Sequence, residues 1–132
     1  MTLRALIFDV DGTLAETEEI HRAAFNDTFA EVGLDWHWTQ ADYADLLKVT
    51  GGKERMRFHR DRGGQAGPDD ATIAKLHGDK TDRYGRRIAS GQIALRPGVR
   101  ALIAKARARD LAVAIATTTS RSNVDALIKA CW

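Results

Sequence analysis

Two aspartates two residues apart, Asp9 and Asp11, are the residues of this chain best suited to chemistry. A carboxylate such as Asp9 can act as a nucleophile and form an acyl phosphate. The second carboxyl, Asp11, can protonate a leaving oxygen as general acid and then activate a water as general base. Two carboxylates so close repel one another. A hard divalent cation, Mg²⁺ foremost, would offset that repulsion and bridge to phosphate oxygen. Gly12 lets the backbone approach a phosphate closely, and exposed amides at such a turn donate to anions. Far along the chain, Thr117-Thr118-Thr119-Ser120 gathers hydroxyls. Thr117 can donate to the same phosphate, and a helix opening just beyond it favours an anion at its first amides.

Other readings of Asp-x-Asp-Gly compete. A calcium loop would need a third ligand at position 13 and a glutamate at position 20, but the chain has Thr13 and Ile20. Asp-Gly is also a common simple turn. That reading weakens once the threonine cluster appears behind a second strand-like run.

The elements that must position these groups follow from the hydrophobic pattern. Ala5 to Phe8 is an apolar run that ends at Asp9, and Leu111 to Ala116 is an apolar run that ends at Thr117. Neither alternates, so both are expected to be strands buried on both faces of a parallel sheet. Chemistry in such sheets collects at the carboxyl ends of the strands. Between the runs, residues 16–91 read as helices. Ile20, Ala24, Phe25, Phe29 and Val32 recur at helical spacing up to Gly33, and Thr39 is an N-cap for a short helix through Tyr43, Leu46 and Leu47. Gly51-Gly52 breaks the pattern, Lys53 to Arg62 is a polar helical segment, and residues 65–69 form a loop. Asp69 or Asp70 caps a longer helix carrying Ile73, Leu76, His77, Tyr84 and Ile88, which Gly91 closes. Pro97-Gly98 then opens a helix with Val99, Leu102, Ile103 and Ala106 on one stripe. A last helix carries Val124, Leu127 and Ile128. The expected organisation is a partial α/β core from residues 1–15 and 92–132, with residues 16–91 as a helical cap. Two parallel strands cannot bury their own faces, so the rest of the sheet is expected beyond residue 132.

Composition bounds the function. The 132 residues are 44% hydrophobic and 29% charged, with 20 basic and 18 acidic residues and a net charge of +2. That balance singles out no nucleic acid, and the basic runs Arg55 to Arg62 and Arg83 to Arg87 read as solvated helix faces. A single cysteine, Cys131, allows no internal disulfide and suits a reducing compartment. No apolar run approaches the roughly 18 residues of a membrane span, and no long apolar leader precedes Asp9. A cytoplasmic enzyme without a membrane partner is the expectation.

Phe-Asp-Val-Asp-Gly-Thr-Leu followed by Ala-Glu-Thr-Glu resembles the first motif of the haloacid dehalogenase-like hydrolases. Ala-Ile-Ala-Thr-Thr-Thr-Ser resembles their second motif, and the helical insert resembles the family's C1 cap. The stretches Thr50-Gly51-Gly52-Lys53-Glu54-Arg55 and Ala-Leu-Arg-Pro-Gly, with Glu16, Glu18-Glu19 and His21, are similar to the CbbY-type branch. Its members are xylulose-1,5-bisphosphate phosphatases associated with the Calvin cycle, close to β-phosphoglucomutase and phosphoglycolate phosphatase. The resemblance implies a Rossmannoid core, here its N-terminal half only, with Asp9 as phosphorylated nucleophile and Asp11 as acid/base. It implies Mg²⁺ held by the Asp9 side chain and the Asp11 backbone carbonyl, and phosphate held by Thr117 and the Thr118 amide. The family's third-motif lysine and fourth-motif acids would follow residue 132; Lys129 does not match.

For the cap, Glu16 and His21 follow the nucleophile loop. His21 is equally readable as a packed histidine, and the resemblance implies substrate contact or coupling of cap closure to acid/base action. Gly52 and Lys53 resemble the loop that reads the substrate. A distal phosphate needs a cation, and Lys53 with Arg55 suits it. Tyr43 can hydrogen-bond sugar hydroxyls or pack as a helix aromatic, while Trp36, Trp38 and Trp132 read as packing residues. The expected activity is a Mg²⁺-dependent phosphatase of small sugar (bis)phosphates. The alternatives are a phosphosugar mutase and a non-catalytic remnant or interaction module. A complete chain is expected to be a monomer, and a truncated one is open to self-association.

Overall fold

A computed structural model of the chain describes residues 2–64 and 66–132. The elements in order are β1 (Ala5–Phe8), α1 (Glu18–Glu31), α2 (Gln40–Leu46), α3 (Gly52–Arg62), α4 (Asp70–Ala89), α5 (Val99–Arg107), β2 (Ala112–Ile115) and α6 (Arg121–Cys131). Parallel strands reached through a long helical insertion make this an α/β protein, as the two apolar runs predict. The chain forms two compact units, one of Met1–Glu18 with Ile88–Trp132 and the other of Glu19–Arg87. Residue 65 of the expected loop 65–69, and residue 1, lie outside the described residues.

In the first unit β1 and β2 pair in parallel, with Ala5 opposite Ala112 and Phe8 opposite Ile115. Its core is Val10, Leu14, Ala15, Val99, Ile103, Val124 and Leu127, against which Phe8 and Val113 pack. The stripe on α5 and the Val124/Leu127 face of α6 thus cover one side of the sheet. The expectation that both strands are buried on both faces is not met. Ala112, Ala114 and Ile115 are exposed, and Ile7 is 69% exposed. Side chains alternate across a strand, and only the side that meets α5 and α6 has apolar partners among the described residues. Leu102 and Ile128, expected on the apolar stripes, are 47% and 40% exposed.

The second unit is helical. Phe25, Phe29, Trp38, Tyr43, Leu46, Met56, Ile73 and Leu76 form its core. Each such side chain contributes about 1.5–3 kcal/mol by leaving water. Trp38 fixes the connector between α1 and α2. Its ring is fully buried, its carbonyl accepts from Arg22 and Asn26, and its amide donates to Asn26 at 2.8 Å. The helix α2 starts where Thr39 predicts it, in a reciprocal capping box with Asp42. The basic runs are engaged in ion pairs on helix surfaces. Arg60 meets Asp61 and Asp70 at 2.8 Å, Arg62 meets Asp45 at 3.0 Å, Arg83 meets Glu31, and Arg87 meets Asp27 at 2.5 Å.

Candidate active site

The β1–β2 register decides what sits together. The ladder closes with the Ala116 amide donating to the Phe8 carbonyl at 2.9 Å. One residue further on β1 is Asp9, and two residues past β2 is Thr117, at the same edge of the sheet. Asp9 is exposed, and among the described residues no side chain hydrogen-bonds its carboxylate. Asp11 is held differently. The fully buried Thr17 donates its hydroxyl to Asp11 Oδ1. One carboxylate is therefore open at the strand end, and the other is fixed two residues later.

The turn between them is tied to the core from below. Val10, Leu14 and Ala15 are at most 1% exposed. Gly12 donates to the Ala15 carbonyl at 2.8 Å, and Thr13 and Leu14 donate to Val10 at 3.1 and 2.9 Å. Gly12 has φ +74°, a left-handed conformation that glycine adopts without strain. Its amide, expected to be exposed toward an anion, is spent on Ala15. What Gly12 supplies is the turn itself and room for close approach. Arg96 clasps the same loop. It donates to the Gly12 carbonyl at 2.5 Å, pairs with Glu16 at 3.1 Å, and its amide donates to the Leu14 carbonyl at 2.8 Å. The sequence reading assigned roles to neither Arg96 nor Thr17. Both lie inside motifs that it did quote, Ala-Leu-Arg-Pro-Gly and Ala-Glu-Thr-Glu, but their positioning roles need the fold to be seen.

Across the edge, Thr117 is half-buried and Thr118 exposed. The Thr119 amide donates to Thr117 Oγ1 at 3.2 Å. Ser120 N-caps α6, so the threonine cluster leads directly into a helix start. Among the described residues no group of three or more His, Cys, Asp or Glu is placed to hold a metal. Asp9 and Asp11 supply oxygen donors of the hard kind.

Of the cap candidates, Glu16 lies in the first unit, paired with Arg96, and the others lie in the helical unit. His21 is buried, stacks on Tyr84 at 4.1 Å, and has Nδ1 2.8 Å from the buried Lys80 Nζ. It is a packed histidine facing a cation, a partner the sequence reading missed. Tyr43 is buried among Trp38 and Phe25. Arg55 donates to the carbonyls of Leu46 and Val49 at 3.1 and 3.0 Å and to the Tyr43 hydroxyl at 3.4 Å. Those bonds tie α3 to the end of α2. Lys53 is half-buried in the first turn of α3. Gly52 lies so close to α4 that a Cβ there would meet His77 Nε2 at 2.6 Å. Burial, with Lys80 and Lys53 nearby, lowers the His77 pKa to about 4, so its imidazole is neutral near pH 7.

Comparison with known proteins gives this arrangement a family. The chain is 65% identical over 130 residues to the protein CbbY of Rhodobacter capsulatus, across 98% of this chain and 57% of that one. A crystal structure of CbbY from Rhodobacter sphaeroides in complex with phosphate superposes with a TM-score of 0.91 at 51% identity. A mutant of that protein in complex with xylulose-1,5-bisphosphate gives 0.91 at 50%. Each of these two matches covers 98% of this chain and 57% of the other. The chain thus spans about half the length of the relatives it matches. Residues 3–131 match the haloacid dehalogenase-like hydrolase profile, and with two aspartates at the end of one parallel strand and a threonine cluster at the end of its neighbour, the chain belongs to that family.

Proposed function

We propose that this chain carries the phosphoryl-accepting side of a phosphatase acting on small sugar bisphosphates. The carrying observation is the shared sheet edge, where an open Asp9, a Thr17-held Asp11 and the Thr117 hydroxyl converge on one end of β1 and β2. Asp9 attacks phosphorus, and the bond from phosphorus to the sugar oxygen breaks. Asp11, as the neutral acid, gives its proton to that oxygen, which leaves as an alcohol. Asp11, now a carboxylate, takes a proton from water as the water attacks the aspartyl phosphate. The bond to Asp9 breaks and inorganic phosphate leaves. Thr117 and the Thr118 amide hold the phosphate oxygens. The CbbY complex with xylulose-1,5-bisphosphate supports a sugar bisphosphate as substrate, and Lys53 is the cation we assign to its distal phosphate. Gly52 opens the turn that carries Lys53. Arg55 and Tyr43 support that turn, while Glu16 and His21 follow the nucleophile loop in the sequence.

Mg²⁺ fits the donor set in kind, since the Asp9 carboxylate and the Asp11 backbone carbonyl, which would hold it, are hard oxygen ligands. When bound, the cation neutralises charge on the transferring phosphate. A single thiol, Cys131, suits a reducing cytoplasm, and no described helix is long and apolar enough to cross a membrane.

The test is release of inorganic phosphate from xylulose-1,5-bisphosphate by the full-length protein. Asp9→Asn is expected to lower turnover by about 1,000-fold or more, as removal of a covalent nucleophile does. Full activity in that variant would sink the assignment. Recovery of an isomerised sugar phosphate in place of free phosphate would make the protein a mutase.

A further inference from the structure

We propose that Asn123 is a positioning residue that presets the threonine cluster to donate to an anion, acting through Thr119. The inference deepens the proposed function, because it rests on Thr117 being a phosphate ligand. Asn123 is the third residue of α6 and is 5% exposed. Its backbone amide already bonds Ser120, the helix N-cap, so capping does not need its side chain. That side chain reaches back past the cap. Nδ2 donates to Thr119 Oγ1 at 3.0 Å, and the Thr119 amide donates to Thr117 Oγ1 at 3.2 Å. A hydroxyl has one proton to give and lone pairs to accept with. In Thr117 and Thr119 the oxygen already accepts from the protein, so each proton is left for an outside acceptor. An anion bound at the sheet edge would be such an acceptor.

The other half of the carboxamide carries the argument further. Asn123 Oδ1 is buried without a hydrogen-bond partner. A buried unpaired acceptor destabilises a fold, and an apolar residue of the same shape would avoid that cost. An Asn serving stability alone would not be the favoured residue here. One serving the orientation of Thr119 would be. This separates the two roles by sign: removing the carboxamide should leave the fold as stable or more so, while weakening anion binding.

Inorganic phosphate, titrated while the Thr118 and Thr119 amides are followed by NMR, reads the binding; thermal melts of the same chain read the fold. Asn123→Leu is expected to keep or raise the melting temperature and to weaken phosphate about 2- to 10-fold, the span of one neutral hydrogen bond. Thr119→Val should weaken phosphate similarly, Thr119→Ser should not, and the Asn123→Leu/Thr119→Val double variant should bind no worse than the weaker single one. Unchanged affinity in Asn123→Leu overturns the proposal, and so does a loss of affinity that tracks a fall in melting temperature. Should Asn123→Leu not fold, the Val and Ser variants at position 119 decide it, equal affinities counting against. A wild-type chain whose amides ignore phosphate overturns the reading of Thr117 itself, and this proposal with it.

Discussion

At the scale of single residues, environment separates groups that look alike in the sequence. Asp9 and Asp11 differ because Thr17 donates to one of them. The histidines differ through burial, and His77 gives the clearest consequence. Its pKa falls to about 4, against an ordinary value of about 6.5 in an unfolded chain. Between those values the unfolded chain takes up a proton that the folded one refuses. Stability from this group is therefore whole above pH 6.5 and is lost progressively as pH falls toward 4. The groups that set the shift are the surrounding apolar packing and the cations Lys80 and Lys53, with Glu54 opposing them. Thermal melts at pH 7 and pH 5 should show a drop for the wild type that is smaller in His77→Gln. The lowered pKa of His59 acts in the same direction in both proteins, so the difference between them isolates His77. Equal drops would count against a neutral His77.

Elements in this protein are joined at contacts that need small residues, and α3 against α4 is the sharpest case. A methyl at Gly52 would stand 2.6 and 2.7 Å from the His77 ring, where real carbon contacts do not occur, and 3.3 Å from Phe25 Cζ, a tight contact. The ring is half-buried, so the methyl has to displace it or the helix. Gly52→Ala should therefore destabilise the helical unit by about 1–3 kcal/mol, the usual cost of overpacking, even though alanine is the better helix former. His77→Ala makes the space. The double variant should recover part of the loss, a coupling that additive effects cannot produce. Urea unfolding of the two single variants and the double variant measures it; strict additivity would mean that the close approach does not govern the pairing. The same contact fixes the turn carrying Lys53, so a shift there reaches the proposed distal-phosphate cation as well.

For the molecule as a whole, what the sequence made legible was pattern, and what it hid was contact. The spacing of Ile73, Leu76, Tyr84 and Ile88 marked α4, Thr39 marked the start of α2, and Asp9, Asp11 and Thr117 were placed at strand ends by the apolar runs before them. Burial was misjudged on β1 and β2, because a non-alternating run implies two covered faces and the described residues cover one. Arg96 and Lys80 have roles that depend on partners 84 and 59 residues away, which no local spacing encodes, whereas Asn123 has its partner only four residues back and its part in the threonine cluster shows only once the turn into α6 is seen. The two units also differ in how their cores are built, and that difference predicts how the molecule comes apart. The helical unit buries Phe25, Phe29, Trp38, Leu46, Met56 and Ile73 almost completely. The other unit leaves Ile7, Ile115, Leu102 and Ile128 in water and presents a strand edge, so it has less burial to set against the entropy of ordering. The cores share no residue, a condition under which all-or-none unfolding is not expected. Amide protection in β1 and β2 should accordingly vanish at lower urea than the fluorescence change of Trp36 and Trp38, the tryptophans of the helical unit. Ile7→Lys, which puts a charge on the open face, should leave the second transition where it is. Coincident transitions by exchange and fluorescence would show instead that the units stabilise each other and unfold as one.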